Sequence, residues 1–326
     1  MKALVTGGTG FVGSHIVRAL LDANHSVRVL HRHSSKLDAL NGLDIEPAIG
    51  ELDDIDTLKT ACANVDWVFH VAAIADYWRA DQSRMMDVNV EGTRRVLQAA
   101  HASGVGRVIF TSSAATVGLR EDGQPADETV MFNLKPSEFG YAHSKVLAEA
   151  VVQEAVNNGQ DVVTVKPSVV MGPGDLNMIS GTFIAQIKKM GMFVPVTSGG
   201  VGVTDVRDVA RWQIVAAEKG RTGESYILNT ANYSYREWYG MIAETVGVRK
   251  PFFPAPDFAA PLTASLITLL RKIGINTPID ATQARMGTQK VYFDASKAHN
   301  ELGEPRIDMH QSLKDTYAWY REHGYL

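Results

Sequence analysis

Tyr141 and Lys145 stand four residues apart in the run Tyr141-Ala-His-Ser-Lys145. On a helix that spacing puts a phenol and an ammonium on one face. A free phenol titrates at about 10, too high for efficient proton transfer at neutral pH, and a neighbouring cation favours its ionised form. Ser113 lies upstream, just past the strand-like run Arg107–Thr111, where its hydroxyl can hydrogen-bond an oxygen on which charge develops. Spacing alone would fit an ordinary exposed helix pair. The order of the motifs is what singles these residues out: a glycine loop, a serine at a strand end, then tyrosine and lysine opening the next helix. Ser113, Tyr141 and Lys145 are therefore the candidate catalytic residues. The chemistry they suit is transfer of a hydride between a nicotinamide and a carbon–oxygen bond, with Lys145 also able to hold the nicotinamide ribose.

The glycine loop is Thr6-Gly7-Gly8-Thr9-Gly10-Phe11-Val12-Gly13, set directly between a strand-like and a helix-like run. Gly7 suits the tight turn, Gly10 lets backbone approach a pyrophosphate, and Gly13 lets helix and strand pack closely. The helix start, with Phe11 and Val12, offers unpaired N–H groups and positive dipole to phosphates. A carboxylate about 20 residues on would bind an adenosine ribose and favour NAD. The second strand instead ends Val29-Leu30-His31-Arg32-His33, with Lys36 close behind. A guanidinium there suits a 2′-phosphate, so NADP(H) is expected, with Arg32 as its main ligand and Lys36 nearby; NAD(H) stays open.

These groups need a scaffold. Strands are expected at Lys2–Thr6, Ser26–His31, Asp44–Ala48, Trp67–Val71, Arg107–Thr111 and Asp161–Lys166. Helices are expected at Gly13–Ala23, Ile55–Ala61, Met85–Ser103 and Tyr141–Asn157. Alternation of this kind predicts an α/β fold with a doubly wound parallel sheet. After Gly172 the rhythm breaks, with glycine, proline and methionine clustered up to Gly202. A helix at Asp205–Lys219, a strand at Ser225–Asn229 and a helix near Tyr235–Val246 follow. The expected organisation is a dinucleotide-binding domain over 1–172 and a smaller mixed substrate lobe over 173–326, interleaved with late elements of the first.

The chain has 326 residues, 45% of them hydrophobic, ample for a large core. Its net charge of -4 carries no basic field for nucleic acid. One cysteine, Cys62, excludes an internal disulfide and any multi-cysteine metal site. No secretory leader or membrane span is legible, and a cytoplasmic protein is expected. The most apolar run, Phe258 to Leu270, reads as a buried or lid helix, with a membrane-surface helix as the lesser alternative.

At these residues the sequence resembles the extended short-chain dehydrogenase/reductase superfamily, essentially end to end. Thr6–Gly13 is similar to its TGxxGxxG loop, Asn89-Val-Glu-Gly-Thr93 to its NVxGT motif, and Thr111-Ser-Ser-Ala114 to the segment bearing its catalytic serine. The resemblance implies cofactor-binding residues along the chain: Leu52 beside Glu51, an adenine-ribose wall at Val71, Ala72 and Ala73, Asn89 of the NVxGT motif, and a carboxamide side at Pro167 and Val170. The likeness is greatest to the dihydroflavonol-4-reductase-like branch, which includes bacterial hopanoid-associated sugar epimerases, through His70-Val-Ala-Ala73 and Phe110–Val117. A homodimer through the helices Met85–Ser103 and Tyr141–Asn157 is implied on the same ground.

Departures narrow the chemistry. Glu51, before Leu52, stands where the family has aspartate, and is expected to reach the adenine amine. Ala114-Ala115 replaces the acid pair of sugar-nucleotide dehydratases. Ser168-Val169-Val170 lacks the asparagine by which many epimerases hold a diphosphate. The expectation is a reductase of a ketone or aldehyde, or a dehydrogenase of a secondary alcohol. The alternatives are a sugar or nucleotide-sugar epimerase with the same triad, and an NADP-sensing binding protein.

Tyr77 and Trp78 could stack on a ring-shaped substrate or pack a loop. His143, inside the Tyr–Lys turn, is expected to face outward, with substrate contact as the alternative. Met190, Met192, Phe193 and Val194 read as core or as an apolar substrate wall. Trp212, Trp238 and Trp319 read as core. No metal site is expected.

Overall fold

The computed structural model describes residues 1–75, 81–275, 277 and 281–326. The strands are β1 (Lys2–Thr6), β2 (Ser26–His31), β3 (Glu46–Ile49), β4 (Trp67–His70), β5 (Arg107–Thr111), β6 (Val162–Pro167), β7 (Val169–Met171), β8 (Gly200–Asp205), β9 (Ser225–Leu228), β10 (Ala231–Ser234) and β11 (Lys290–Val291). The helices are α1 (Phe11–Asp22), α2 (Ile55–Cys62), α3 (Gln82–Met86), α4 (Gly92–Ala102), α5 (Gly140–Asn157), α6 (Thr182–Met190), α7 (Val206–Lys219), α8 (Tyr235–Val246), α9 (Ala259–Lys272), α10 (Ala281–Met286), α11 (Ser296–Leu302) and α12 (Met309–Glu322).

Seven strands form one parallel sheet in the order β3-β2-β1-β4-β5-β6-β9. Apart from the largely exposed edge strand β3, their runs are mostly apolar on both faces, as a sheet covered on both sides requires. Ala3, Val5, Val29, Phe69, Ile109 and Val165 point toward α1, α7 and α11, burying Ile16, Leu20 and Trp212. Leu4, Leu30, Val68, Val108 and Phe110 point the other way, onto α2, α4 and α5. Strand order reverses between β1 and β4, and the glycine loop and the β4 end meet at that crevice, where ligands bind in open α/β sheets.

A second sheet is built on β8, with β10 antiparallel to it and β7 and β11 parallel. It packs with α6, α8 and α12 around Trp238, Ile242 and Tyr320. The two parts are interleaved, since α7 and β9 leave this lobe to complete the first sheet. Trp212 and Trp238 are fully buried, and Trp319 packs at the edge of the second core.

The expected helix Met85–Ser103 is not continuous. A π-helical turn, Asp87–Glu91, separates α3 from α4. It sets Asn89 inward, where the amide donates to Ile74 O (3.0 Å) and Ser144 Oγ (2.9 Å) and accepts from Ile74 N–H (2.8 Å). A buried amide with all these partners offsets the weaker local ladder.

Candidate active site

One cavity of about 1160 Å³ runs from the β1–α1 loop to the second lobe. The loop begins at Gly7, whose φ of +72° is left-handed and where a Cβ would sit 2.7 Å from Ala72 N. Gly13 is as tightly held, since a Cβ there would lie 2.7 Å from the Gly7 carbonyl carbon. Gly10 caps α1 with no side chain, and its N–H donates to Gly7 O at 3.0 Å. The N–H groups of the first turn therefore face the cavity with no acidic side chain among them.

Gly7, Gly10, Phe11, Val12, Gly13, Arg32, Glu51, Leu52, Val71, Ala72, Ala73, Ser113, Tyr141, Lys145, Pro167 and Val170 all line this cavity. Three candidates do not. The wall passes by Lys36; Asn89 is spent on Ile74 and Ser144, so it shapes the wall from behind; and His143 lies off it. His143 shares the outer stripe of α5 with exposed Leu147 and Ala150, at helical spacing, which excludes it from the cavity on this geometry. Tyr77 and Trp78 lie outside the described residues. His31 Nε2 and Ser168 Oγ, both on residues of the wall, are buried without a protein partner among the described residues. Such orphans fit a cavity built for a polar ligand.

Ser113 follows β5 in extended backbone, and its Oγ accepts from Ala115 N–H at 3.2 Å. Tyr141 opens α5, is buried, and is hydrogen-bonded by Ser113. Burial pushes the phenol up to about 12, against the pull of Ser113. Lys145 lies a turn further on, 2% exposed, and donates to Thr111 O at 2.8 Å, with its ammonium 5.0 Å from the Phe110 ring centre. Burial pushes it down to about 8, opposed by the charge of Glu149. The net direction for Tyr141 is therefore upward. Desolvation outweighs the Ser113 hydrogen bond, while Lys145 donates to β5.

Two polar networks behind these residues were not legible as such. Glu149 Oε1 accepts from Ser112 Oγ (2.5 Å) and Thr116 Oγ1 (2.8 Å), and its Oε2 from Lys166 Nζ (3.0 Å). It therefore ties both flanks of Ser113 to α5 and to the end of β6. On the other side, Thr93 Oγ1 gives its proton to Asn89 O (2.7 Å), so His70 Nε2–H must donate to Thr93 at 3.0 Å. His70 Nδ1 then bonds Thr6 Oγ1 at 2.8 Å, and Thr6 Oγ1 accepts from Val71 N–H (3.2 Å) and Ala72 N–H (3.3 Å). Burial, then the charge of Lys145, pushes His70 down to about 3, which keeps it neutral. The signal for both networks was polar residues inside otherwise apolar elements.

Beyond Tyr141 the wall changes character. Phe183, Val194, Tyr235, Tyr239, Pro256, Ala260 and Met286 form much of it. Tyr235 and Tyr239 lie 5.3 Å apart between ring centres, and Phe183 and Tyr239 6.3 Å. Burial pushes Tyr235 up to about 12 and raises Tyr239. Among the described wall residues beyond Gly172 there is no lysine or arginine, and the one carboxylate, Asp175, is held by Ser180 N–H, Gly181 N–H and Tyr320 OH. Of the expected apolar stretch, Val194 lines the cavity while Met190 and Phe193 are exposed.

The NAD dependent epimerase/dehydratase family model matches residues 3–229. A Synechocystis protein provisionally named dihydroflavonol 4-reductase is 36% identical over 99% of this chain and 95% of its own. Sterol demethylase protein B of Methylococcus capsulatus is 31% identical over the full length of both. The crystal structure of a nucleoside-diphosphate-sugar epimerase from Pseudomonas aeruginosa superimposes with a TM-score of 0.84 at 26% identity, covering 100% of this chain and 99% of that one.

Proposed function

Because this chain belongs to the NAD dependent epimerase/dehydratase family, we propose that it is an NADP(H)-dependent oxidoreductase that reduces a ketone or aldehyde, or oxidises a secondary alcohol. The observation that carries this reading is the hydrogen-bonded Ser113–Tyr141 pair beside Lys145, between a glycine cradle and an aromatic wall in one cavity. The cradle fits a dinucleotide, since Gly7 and Gly13 leave room only for backbone and the α1 N–H groups face the same space. When bound, the cofactor supplies the hydride. Tyr141, held protonated by burial, gives its proton to the substrate oxygen. Ser113 holds that oxygen through its hydroxyl, and Lys145 takes the nicotinamide ribose and returns a proton toward Tyr141. Arg32 receives the adenosine 2′-phosphate. Glu51 and Leu52 take the adenine edge, Val71, Ala72 and Ala73 its ribose, and Pro167 and Val170 the carboxamide side. The 1–172 and 173–326 parts divide cofactor from substrate, with the protein assembling as a homodimer in the cytoplasm.

A second reading, a nucleotide-sugar epimerase, has the Pseudomonas structure in its favour. The absence of lysine and arginine from the described far wall disfavours it, because a diphosphate needs cationic donors. Stoichiometry separates the two. Purified protein with NADPH and a panel of ketones is expected to consume cofactor in step with substrate. Interconversion of sugar nucleotides with no net cofactor change would replace the reductase reading with the epimerase one.

A further inference from the structure

The outer wall of the apolar end is α9, and the helix has two unlike faces. Ala259, Ala260 and Thr263 line the cavity, and Ala264 and Ile267 pack on Ala284 of α10. The opposite face carries Phe258, Leu262, Leu266, Leu269 and Ile273, between 55% and 73% exposed. Their spacing of four, four, three and four residues places them in one straight stripe, about 22 Å long at 1.5 Å per residue. Ser265 and Thr268, both with hydroxyl side chains, lie beside it. A continuous apolar stripe of this length on a solvent face marks an interaction surface.

Charge selects the occupant. From Gly247 to Ile275 the chain carries Arg249, Lys250, Arg271 and Lys272 against a single carboxylate, Asp257. Asp257 accepts from Ser198 Oγ at 2.7 Å and Lys250 is paired with Glu244, which leaves Arg249 and Arg271 as exposed cations beside the stripe. An apolar stripe with an exposed arginine toward each end matches the interface of an anionic bilayer. Exposed Phe252 and Phe253 precede the helix, and Phe253 stacks on exposed Phe193 at 6.1 Å, which extends the apolar rim. We propose that α9 seats the protein on an anionic lipid surface, so that the cavity behind it receives an apolar carbonyl or alcohol substrate from the lipid phase. The clause about substrate rests on the oxidoreductase reading; the docking does not.

The test is co-sedimentation of the full chain with vesicles of phosphatidylcholine alone and of phosphatidylcholine with phosphatidylglycerol, without substrate. The expected result is partition onto the anionic vesicles, reduced at least tenfold in the triple variant Leu262→Ser/Leu266→Ser/Leu269→Ser. NADPH binding, followed by cofactor fluorescence, reports that the variant is folded, and the single variant Leu266→Asp serves if the triple one is not. Equal partition of wild type and variant overturns the proposal, as does no binding of the wild type to either vesicle. Sedimentation velocity on the free protein gives a third arm: an oligomer that the stripe variant dissolves would make a second copy the occupant and overturn it. Loss of ketone turnover with vesicle binding intact would sink the oxidoreductase reading alone.

Discussion

A phenol at about 12 and an ammonium at about 8 sit a helical turn apart, and their order sets which of them gives up its proton first as pH rises. At neutral pH the phenol is protonated and the amine charged, the state a carbonyl reduction needs. Reduction, read as kcat/KM, should hold below about pH 8 and fall as Lys145 loses its proton above it. Oxidation of the product alcohol should rise over the same range. A reduction rate that climbs through pH 9 would contradict the assignment of Tyr141 as donor. Tyr141→Phe should lower kcat by roughly 10²–10⁴-fold, the usual worth of a positioned acid, with the dissociation constant for NADPH nearly unchanged. Arg32→Ala should raise the KM for NADPH by about 10–100-fold, the loss of a charge-assisted phosphate contact of about 1.5–3 kcal/mol, and leave that for NADH alone.

At the scale of elements, the site is a meeting of strand ends and helix starts, and that is why much of it could be read from the chain. Glycine loop, strand-end serine and helix-opening tyrosine each sit where local sequence rules put them, and the sheet brings those ends together. What could not be read depends on burial. Desolvation raises Tyr141, and no spacing reports desolvation. Asn89 looked like a cofactor residue because its motif is local, yet a π-turn sends its amide to Ile74 and Ser144. The short strands β7, β10 and β11 have no period long enough to detect, and they exist because β8 offers both edges. Glu149 shows the same limit. An acid one turn past Lys145 carries no local sign of its partners, yet Ser112, Thr116 and Lys166 converge on it. Glu149→Gln should lower kcat about tenfold by loosening the Ser113 segment. It should also move the alkaline limb of the reduction profile to lower pH, since its charge raises Lys145. A purely structural role would lower stability and leave that limb in place.

At the scale of the whole molecule, the fold must bury one face of α4 and α5 on the sheet and leave the other to something else. On α5 the inner residues Ala148, Val151, Val152 and Ala155 join the core, while His143, Leu147, Ala150 and Glu154 run along the outer side. Arg94 of α4 reaches Glu154 at 2.9 Å, which fixes the two helices side by side as one surface. Two such helix pairs facing across a two-fold axis would close a four-helix bundle, each copy supplying the same patch. That surface lies on helices distinct from α9, so self-association and lipid docking make separate predictions. Leu147, 38% exposed, sits midway along the outer stripe and should stand near the axis. Leu147→Arg would then set two like charges against each other and remove two apolar contacts, one per copy. Sedimentation equilibrium is expected to give a dimer for the wild type and a protein at least tenfold more dissociated for Leu147→Arg, with α9-dependent vesicle binding unchanged. A wild type that stays monomeric at high micromolar concentration, or a Leu147→Arg variant that dimerises as tightly, would remove this face from the assembly.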